Sequence, residues 1–346
     1  MSIILNRNAE VYVSNVTTDT SPGPSANDTD KISITKAYSL EHRVNTAKVD
    51  RSTLNPTESR AQTVYSESAD TVDFSLETYL YAGNIASNIE LVHRRLFAGL
   101  AGYLSSVTSY VNRSEVLFTN SDIPQLLENT IWFAYPNMTY RVDNAVINSA
   151  TINLDLNDIA KITWKGSGLG LNTTQSYSPP AAADLSTYRS CIRHKLTDIT
   201  LQISAPGGGS YSANLLNCDI TINNNPTFVR REKLGTFSTY TTHYTGDREV
   251  SGTLNFYLKT IGGGQATADL FDDLYTNKNY LEDFTADITI SVGGTSQLPR
   301  FELIMPKVYL DLPNFDFTEV LSIAVPFIAL ETSAGAADEL TMKYYL

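Results

Sequence analysis

The chain has 346 residues and a net charge of −12, from 37 acidic and 25 basic residues. This length allows two domains with buried cores. The acidic balance, with no basic run longer than a pair such as Arg230-Arg231, argues against tight binding to nucleic-acid phosphates. Hydrophobic residues make up 42% and charged residues 18% of a chain rich in Ser, Thr, Asn and Tyr, a mixture that favours strands and turns.

The first half of the chain reads as strands separated by polar stretches. Residues 41–68 form a long polar stretch with few apolar anchors, and segments of that length are usually functional. Alternation of apolar and polar residues resumes at Thr71. Strands are expected at residues 10–13, 31–40, from 71 onward, 140–147 and 151–156.

Two helices are expected in this half. The first opens at Ser87, where Ser87-Asn-Ile-Glu90 matches a capping box and is followed by apolar residues at helical spacing. That stripe contains Ile89, Leu91, Val92, Leu96, Phe97 and Leu100. A shorter helix is expected around residues 122–128, with an early proline.

A linker is expected over residues 166–187, which run from Gly166-Ser-Gly-Leu-Gly170 into a Pro/Ala-rich segment. The second half then repeats the order of the first, with a polar excursion over residues 224–247. A helix is expected after Gly262-Gly-Gly-Gln265, with Leu270, Phe271, Leu274 and Tyr275 on one face. Strands are expected at residues 195–204, 213–223, 248–258, 285–292, 301–311 and 317–330.

The two halves match one another in pattern. Residues 252–258 repeat the layout of residues 74–80 at an offset of 178, and residues 306–323 can be laid on residues 145–162 at an offset of 161. Duplication of a small β unit is typical of assembly proteins rather than of enzymes. The expected domains are residues 1–170 and 191–346, joined by a linker at residues 171–190.

The sequence offers no concentrated chemistry. The four histidines, His42, His93, His194 and His243, stand singly, without partners at metal-ligand spacing. Gly166-Ser-Gly-Leu-Gly170 is followed by no helix that could hold a phosphate. Cys191 and Cys218 lie in different settings, which favours two buried thiols over a disulfide. We therefore expect no enzyme activity, no metal and no cofactor. No segment approaches the ~20 apolar residues of a membrane span, so no membrane partner is expected.

Four segments, in their order and spacing, carry a family resemblance. They are Asp73–Tyr79, Met138–Leu154, Ala213–Asn225 with its Asn-rich end, and Arg248–Tyr257. In this arrangement the chain resembles the two-domain tail tube proteins of tailed bacteriophages. The resemblance implies a mainly β fold of two tandem β-sandwich or barrel domains, each with a flanking α-helix and long hairpin loops.

The resemblance also implies a role and partners. Three chains would form a ring with pseudo-sixfold symmetry, and rings would stack head to tail into the tail tube through which DNA is ejected. The chain would be made in the host cytoplasm and located in the virion tail. Its partners would be further copies of itself, a tail-tip or baseplate initiator, the tape measure protein and, in a contractile tail, a sheath protein. Genomic DNA would pass without specific binding.

Two sets of residues are singled out for this role. Acids on the polar faces of strands are lumen candidates, with an outer surface as the alternative for each: Asp73, Glu77, Asp155, Glu249, Asp311 and Asp316. The polar excursions would reach neighbouring subunits and the next ring, stay mobile in the free protein and order on assembly. Their candidate contact residues are Arg51, Leu54, Arg60, Tyr65, Arg230, Arg231, Phe237 and Tyr240.

Two alternatives stay open from sequence. One is another virion assembly role, as a decoration, capsid or tail-tip protein. The other is a carbohydrate-binding β-sandwich, which only the 20 tyrosines support.

Overall fold

The computed structural model is mainly β and is described for most of the chain. The described residues are 9–17, 24–25, 28–35, 37–49, 63–85, 88–91, 93–111, 113–118, 124–136, 138–173, 190–192, 200–205, 209–213, 215–231, 237–258, 267–276, 285–293, 300–316 and 321–345. Within them, neither helix is long and apolar enough to cross a membrane.

The elements follow one another in chain order. The first half contains β1 (Glu10–Ser14), β2 (Thr29–Ile32), β3 (Tyr38–Val49), β4 (Thr63–Tyr79), β5 (Tyr81–Ile85), β6 (Asn88–Leu91), α1 (Arg94–Ala101), β7 (Val107–Ser109), β8 (Arg113–Leu117), β9 (Asn129–Tyr135), β10 (Met138–Asp155), β11 (Lys161–Gly168) and β12 (Gly170–Asn172). The second half contains β13 (Ser190–Cys191), β14 (Thr200–Ala205), β15 (Gly209–Ala213), β16 (Leu215–Asn223), β17 (Thr227–Arg231), β18 (Thr239–Tyr244), β19 (Glu249–Tyr257), α2 (Thr267–Thr276), β20 (Thr285–Gly293), β21 (Arg300–Leu310), β22 (Asn314–Asp316), β23 (Ser322–Ala329) and β24 (Thr341–Tyr345).

One antiparallel sheet, which we call the central sheet, runs through both halves. Its strands pair in the order β3-β4-β11-β10-β16-β19-β23-β22. The halves meet where Ser149–Asp155 of β10 pair with Asn217–Asn223 of β16. Four neighbouring strands therefore come from each half.

The order of strands is the same in the two halves. β3, β4, β11 and β10 follow one another as β16, β19, β23 and β21–β22 do. A cross-strand pair fixes the correspondence: Phe74 of β4 lies opposite Gly166 of β11, and Gly252 of β19 lies opposite Phe327 of β23. These positions differ by 178 (252 − 74) and 161 (327 − 166), so both sequence offsets are reproduced there.

The glycines in these pairs make room for the rings. A Cβ atom at Gly166 would lie 2.3 Å from Cζ of Phe74, and one at Gly252 would lie 2.8 Å from Cζ of Phe327. In the first half β4 supplies the phenylalanine and β11 the glycine, whereas in the second half the equivalent strands β19 and β23 supply them the other way round. Each pair therefore combines one large and one small residue, and the packed volume is conserved.

The gapless alignment is wrong for β10. Thr151 pairs with Thr163, whose counterpart Ala324 pairs with Asn314. The counterpart of Thr151 is therefore Asn314, at an offset of 163 rather than 161. The connection that follows is two residues shorter in the second half, which an alignment without gaps cannot show.

The core lies between the central sheet and a second layer. Further strands extend from β10 through β9, β1 and β2, and from β21 through β20, β14 and β15 and through β24, β8 and β7. Helix α1 buries Leu96 and Phe97, and the Phe97 ring packs edge-on against Trp164 of β11 with centroids 4.8 Å apart. The Trp164 Nε1–H donates to Thr78 Oγ1 at 2.9 Å, which satisfies this buried polar group.

Both helix predictions of the first half were wrong in detail. Helix α1 begins at Arg94, because residues 88–91 pair as β6 with β5 instead of following the capping box. The described residues 124–128 of the second expected helix are not helical. There the Pro124 carbonyl accepts the backbone N–H of Thr245 at 3.2 Å, so the segment is tied to the second half. The expected helix near 270 is α2, with Leu270 and Leu274 buried and Tyr275 exposed.

Several strand boundaries also differ from expectation. Residues 31–40 fall in two strands, β2 and β3, and the glycine-rich start of the expected linker is β11 and β12, where Gly170–Asn172 pair with β10. The polar stretch 41–68 is strand over 41–49 and 63–68, since β3 and β4 continue as a hairpin beyond the central sheet. The strands that were not predicted are β5, β7, β8, β9, β13, β15, β17, β18, β22 and β24.

Candidate functional site

One face of the central sheet is polar. Along a single cross-strand row, Glu77, Thr163, Thr151, Thr221 and Ser251 follow one another as directly paired residues. The next row, which lies on the opposite face, is Leu76, Trp164, Ala150, Ile222 and Val250, and all five are buried. The row continues in β23 with Ile328, which pairs with Ser251 and is exposed. The alternation read from sequence therefore produces a predominantly polar face that spans both halves and carries this apolar side chain near its β23 end.

Five of the predicted lumen acids lie at this face. Asp73, Glu249 and Asp311 are exposed, and Glu77 and Asp155 are half-buried. The backbone of Asp316 pairs with Ser322, but its side chain is outside the described residues.

The polar face carries further charged residues that were not predicted from sequence, and one of them is Glu41 of β3, which is exposed opposite Asp73. Asp219 of β16 is exposed and shares the row of Asn153 and Thr253. Lys161 and Lys165 of β11 also lie on this face, opposite Tyr79 and Ser75. In the sequence, Lys161 and Lys165 alternate with the apolar Ile162 and Trp164, and this alternation could have assigned the two lysines to the polar face. The face is thus predominantly acidic but not free of positive charge.

Hydrogen bonds hold the polar face together. Asp73 accepts a bond from Ser167 Oγ at 2.8 Å, and Glu77 accepts one from Thr35 Oγ1 at 2.7 Å. At the junction of the halves, Asn153 Nδ2 donates to Asp219 at 2.6 Å, and the hydroxyl oxygens of Thr151 and Thr221 are 3.1 Å apart.

A shallow groove of about 380 Å³ runs along the second half of this face. Its lining includes Asp219, Glu249 and Asp311, together with the backbone at Gly252. Three carboxylates thus border one open groove. Within the described residues, no group of three or more His, Cys, Asp or Glu side chains is placed to hold a metal ion.

Two hairpins leave the same end of the central sheet. The first arm is the part of β3 and β4 beyond His42 and Val72, and the second arm is the β17–β18 hairpin. The second arm follows the end of β16 at Asn223 and returns to the start of β19 at Glu249. All neighbouring strands from β3 to β16 are antiparallel, so β3 and β16 run in the same direction, and both arms leave the end of the sheet at which these two strands finish.

Arg230 joins the two arms. Its guanidinium donates to Ser68 Oγ at 3.0 Å and to Asp70 Oδ1 at 3.1 Å, across the gap between the arms. It also stacks over the Tyr240 ring, 4.7 Å from the centroid. The Ala69 N–H donates to the Ser238 carbonyl at 3.0 Å. The predicted contact residues Arg230 and Tyr240 are therefore engaged within the chain.

The other predicted contact residues are either exposed or not described. Tyr65, Arg231 and Phe237 are exposed on the arms. Arg51, Leu54 and Arg60 lie outside the described residues. The arms also expose apolar side chains that the sequence analysis did not single out: Val44, Val64, Val229 and Tyr244.

His243 lies buried at the base of the second arm. Its ring packs beside that of Phe228, with centroids 6.0 Å apart, and its Nδ1 is 3.5 Å from a carboxylate oxygen of Glu128. Burial lowers the pKa of His243 below its ordinary 6.5, and the attraction of Glu128 opposes that effect.

Comparison with known proteins gives a consistent result. Residues 9–329 match the family of phage tail tube proteins. The chain is also similar to the tail tube protein pb6 of Escherichia phage T5, with 25% identity over an alignment 360 positions long. That alignment covers 98% of this chain and 75% of the phage T5 protein.

Proposed function

Since the chain belongs to the phage tail tube protein family, and is thus a structural component of the virion tail, we propose that it polymerises as stacked rings into a tube. The tube would form the channel through which DNA is ejected. The role is structural, and the proposal assigns no catalytic residue, metal or cofactor to the chain.

The chain is proposed to consist of two tandem tube domains, residues 1–170 and 191–346, with a linker at 171–190. The repeated strand order and the reciprocal Phe74–Gly166 and Gly252–Phe327 pairs support this division. Strands at its edges, β12 and β13, would mark the limits of the linker.

Three chains are proposed to form each ring. The central sheet supplies eight strands per chain. Three copies would close a barrel of 24 strands, and with strands ~4.8 Å apart and tilted by about 40° its backbone diameter would be roughly 48 Å. Side chains would narrow the channel to about 35–40 Å, which admits a duplex roughly 20 Å across.

The polar face of the central sheet is proposed to line the channel. The opposite face is buried against the second layer, so the polar face is the one available to water. Carboxylates at Asp73, Asp219, Glu249 and Asp311 would repel DNA phosphates, and the threonines and asparagines between them would keep the wall hydrated. DNA would then slide without releasing counterions to the protein.

The two arms are proposed to contact the next ring. They project from one end of the central sheet and expose apolar residues, whereas the opposite end exposes Leu156, Tyr257 and Leu321. Two different ends favour head-to-tail stacking, which gives an open polymer. A tail-tip or baseplate initiator, the tape measure protein and, in a contractile tail, a sheath would be the further partners.

The predominantly polar face that spans both halves is the observation that carries this proposal. It is tested by negative-stain electron microscopy of the purified, concentrated protein at near-physiological salt. We expect tubes or stacked rings with a central channel and three subunits per ring. If single particles persist both alone and after mixing with tail tips, the proposal is wrong.

A further inference from the structure

We propose that the β3 edge of one subunit pairs with the β22 edge of the next, with Glu41 directly opposite Asn314. This inference rests on the proposed ring. It identifies the partner of each sheet edge as a second copy of the chain and fixes the register of the pairing.

The two edges of the central sheet are the strands that need partners. Among the described residues, β3 pairs only with β4 and β22 pairs only with β23. Each therefore presents a row of backbone N–H and C=O groups at an edge, which is a template for pairing with another strand.

The chain contains its own example of such a junction. β10, the last of the four central strands of the first half, pairs with β16, the first of the second half. In the repeated strand order, β22 continues the counterpart of β10, and β3 is the counterpart of β16. A ring of subunits would repeat this junction between chains.

The register follows in three steps. Within one chain, Glu41 pairs with Asp73. At the offset of 178, Asp73 corresponds to Ser251. Ser251 in turn pairs with Thr221. Glu41 is therefore the counterpart of Thr221. Asn314 is the counterpart of Thr151, as derived above, and Thr151 pairs with Thr221. Asn314 is thus placed opposite Glu41.

The chemistry of the resulting pairs is compatible with this register. Extending the antiparallel pairing gives Leu312–Arg43, Pro313–His42, Asn314–Glu41, Phe315–Leu40 and Asp316–Ser39. No pair opposes two charges of like sign, and the register places Phe315 opposite the apolar Leu40. At the internal junction, Asp219 likewise meets the neutral Asn153.

Other registers are less favourable. A slip of one residue would exchange the polar and the buried faces. Glu41 already lies opposite Asp73 within the sheet. A slip of two residues in one direction would place Asp316 on the other side of Glu41 and so put three acidic residues in one cross-strand row, which adds to the repulsion.

Paired cysteines test the register in assembled tubes. The variant carries Glu41→Cys and Asn314→Cys in a Cys191→Ser background, in which the remaining Cys218 is fully buried. Directly opposed residues lie within disulfide range. Mild oxidation should therefore link most subunits into dimers and trimers on a non-reducing gel, with no larger species if three chains close a ring.

Two matched variants complete the experiment. Glu41→Cys with Asp316→Cys keeps the same face but shifts one partner by two residues, to about 7–8 Å, and should cross-link at least tenfold less. Thr151→Cys with Thr221→Cys reproduces the internal junction and should form a disulfide within one chain.

The outcomes separate this inference from the proposed function. Tubes in which the shifted pair links as well as, or better than, the direct pair would overturn the register and leave the tube role intact. Absence of tubes from the unsubstituted protein, even with tail tips, would overturn both. Selective linking of Glu41→Cys with Asn314→Cys would support both.

Discussion

At the scale of single residues, the buried His243 makes the second arm sensitive to acid. Its folded pKa lies below the unfolded value of 6.5, so the unfolded chain binds a proton first as pH falls. The contribution of His243 to the free energy of unfolding is therefore fully present when the pH is above both the folded and the unfolded pKa. It is lost as pH falls below 6.5, by up to about 1.4 kcal/mol per pH unit until the folded pKa is reached.

We predict that His243→Gln removes this pH dependence, because the glutamine side chain cannot titrate. Its free energy of unfolding in urea should differ from that of the unsubstituted chain by an amount that shrinks between pH 7.5 and pH 5.5. Comparing the two proteins cancels the titration of the other histidines. A difference that stays constant over this range would show that His243 does not respond to pH.

The glycine–phenylalanine pairs show what a single residue does for the sheet. Gly166 and Gly252 belong to opposite strands of equivalent pairs, and each accommodates a ring from its neighbour. In sequence, Gly166 marks the start of an expected linker. Only its position opposite Phe74 shows that it lies inside the central sheet.

At the scale of elements, the two arms form one unit through Arg230. The ion pair with Asp70 is half-exposed and should contribute less than about 1 kcal/mol, with a similar contribution from stacking on Tyr240. These small terms act together on the contact between the arms, where the Ala69 N–H meets the Ser238 carbonyl.

We therefore predict that Arg230→Met loosens the arms without unfolding the sheet. Hydrogen exchange at the Ala69 amide should accelerate about fivefold, which corresponds to a loss of about 1 kcal/mol. Arg231→Met is the matched control, since Arg231 is exposed on the other face of the same strand. Equal exchange rates in the two variants would contradict a specific role for Arg230.

At the scale of the whole molecule, the charge of the polar face should decide whether DNA passes freely. Replacing Asp219, Glu249 and Asp311 with lysine changes the net charge of the chain from −12 to −6. Tubes of this variant should retain short duplex DNA at low salt and release it as salt increases, because the contacts displace counterions.

A second variant separates the face from the overall charge. Asp269→Lys, Asp272→Lys and Asp287→Lys change the net charge equally, and these exposed residues lie on α2 and β20, outside the central sheet. Tubes of this variant should not retain DNA when both are pelleted with labelled duplex. Equal retention by the two variants would mean that the polar face does not line the channel.

The sequence by itself determined the mainly β class, the alternation that makes one face of the sheet polar, the correspondence of residues 74–80 with 252–258, and the family. The family rests on the resemblance carried by four segments in their order and spacing, whereas the β class and the polar face depend on the local period of apolar residues. Five of the six acids chosen on that basis lie at the polar face, while Asp316 is described only by its backbone pairing.

Only the tertiary structure decided how the segments meet. The capping box at Ser87 gave way to strand pairing of residues 88–91, the described strands within 41–68 paired as the first arm, and Arg230 bonded to Ser68 and Asp70 of that arm. The shorter connection before β23 and the junction of β10 with β16 were equally invisible in the sequence. The physical reason is that strand pairing and register join residues far apart in the chain, and local preferences of a fraction of a kcal/mol yield to those contacts.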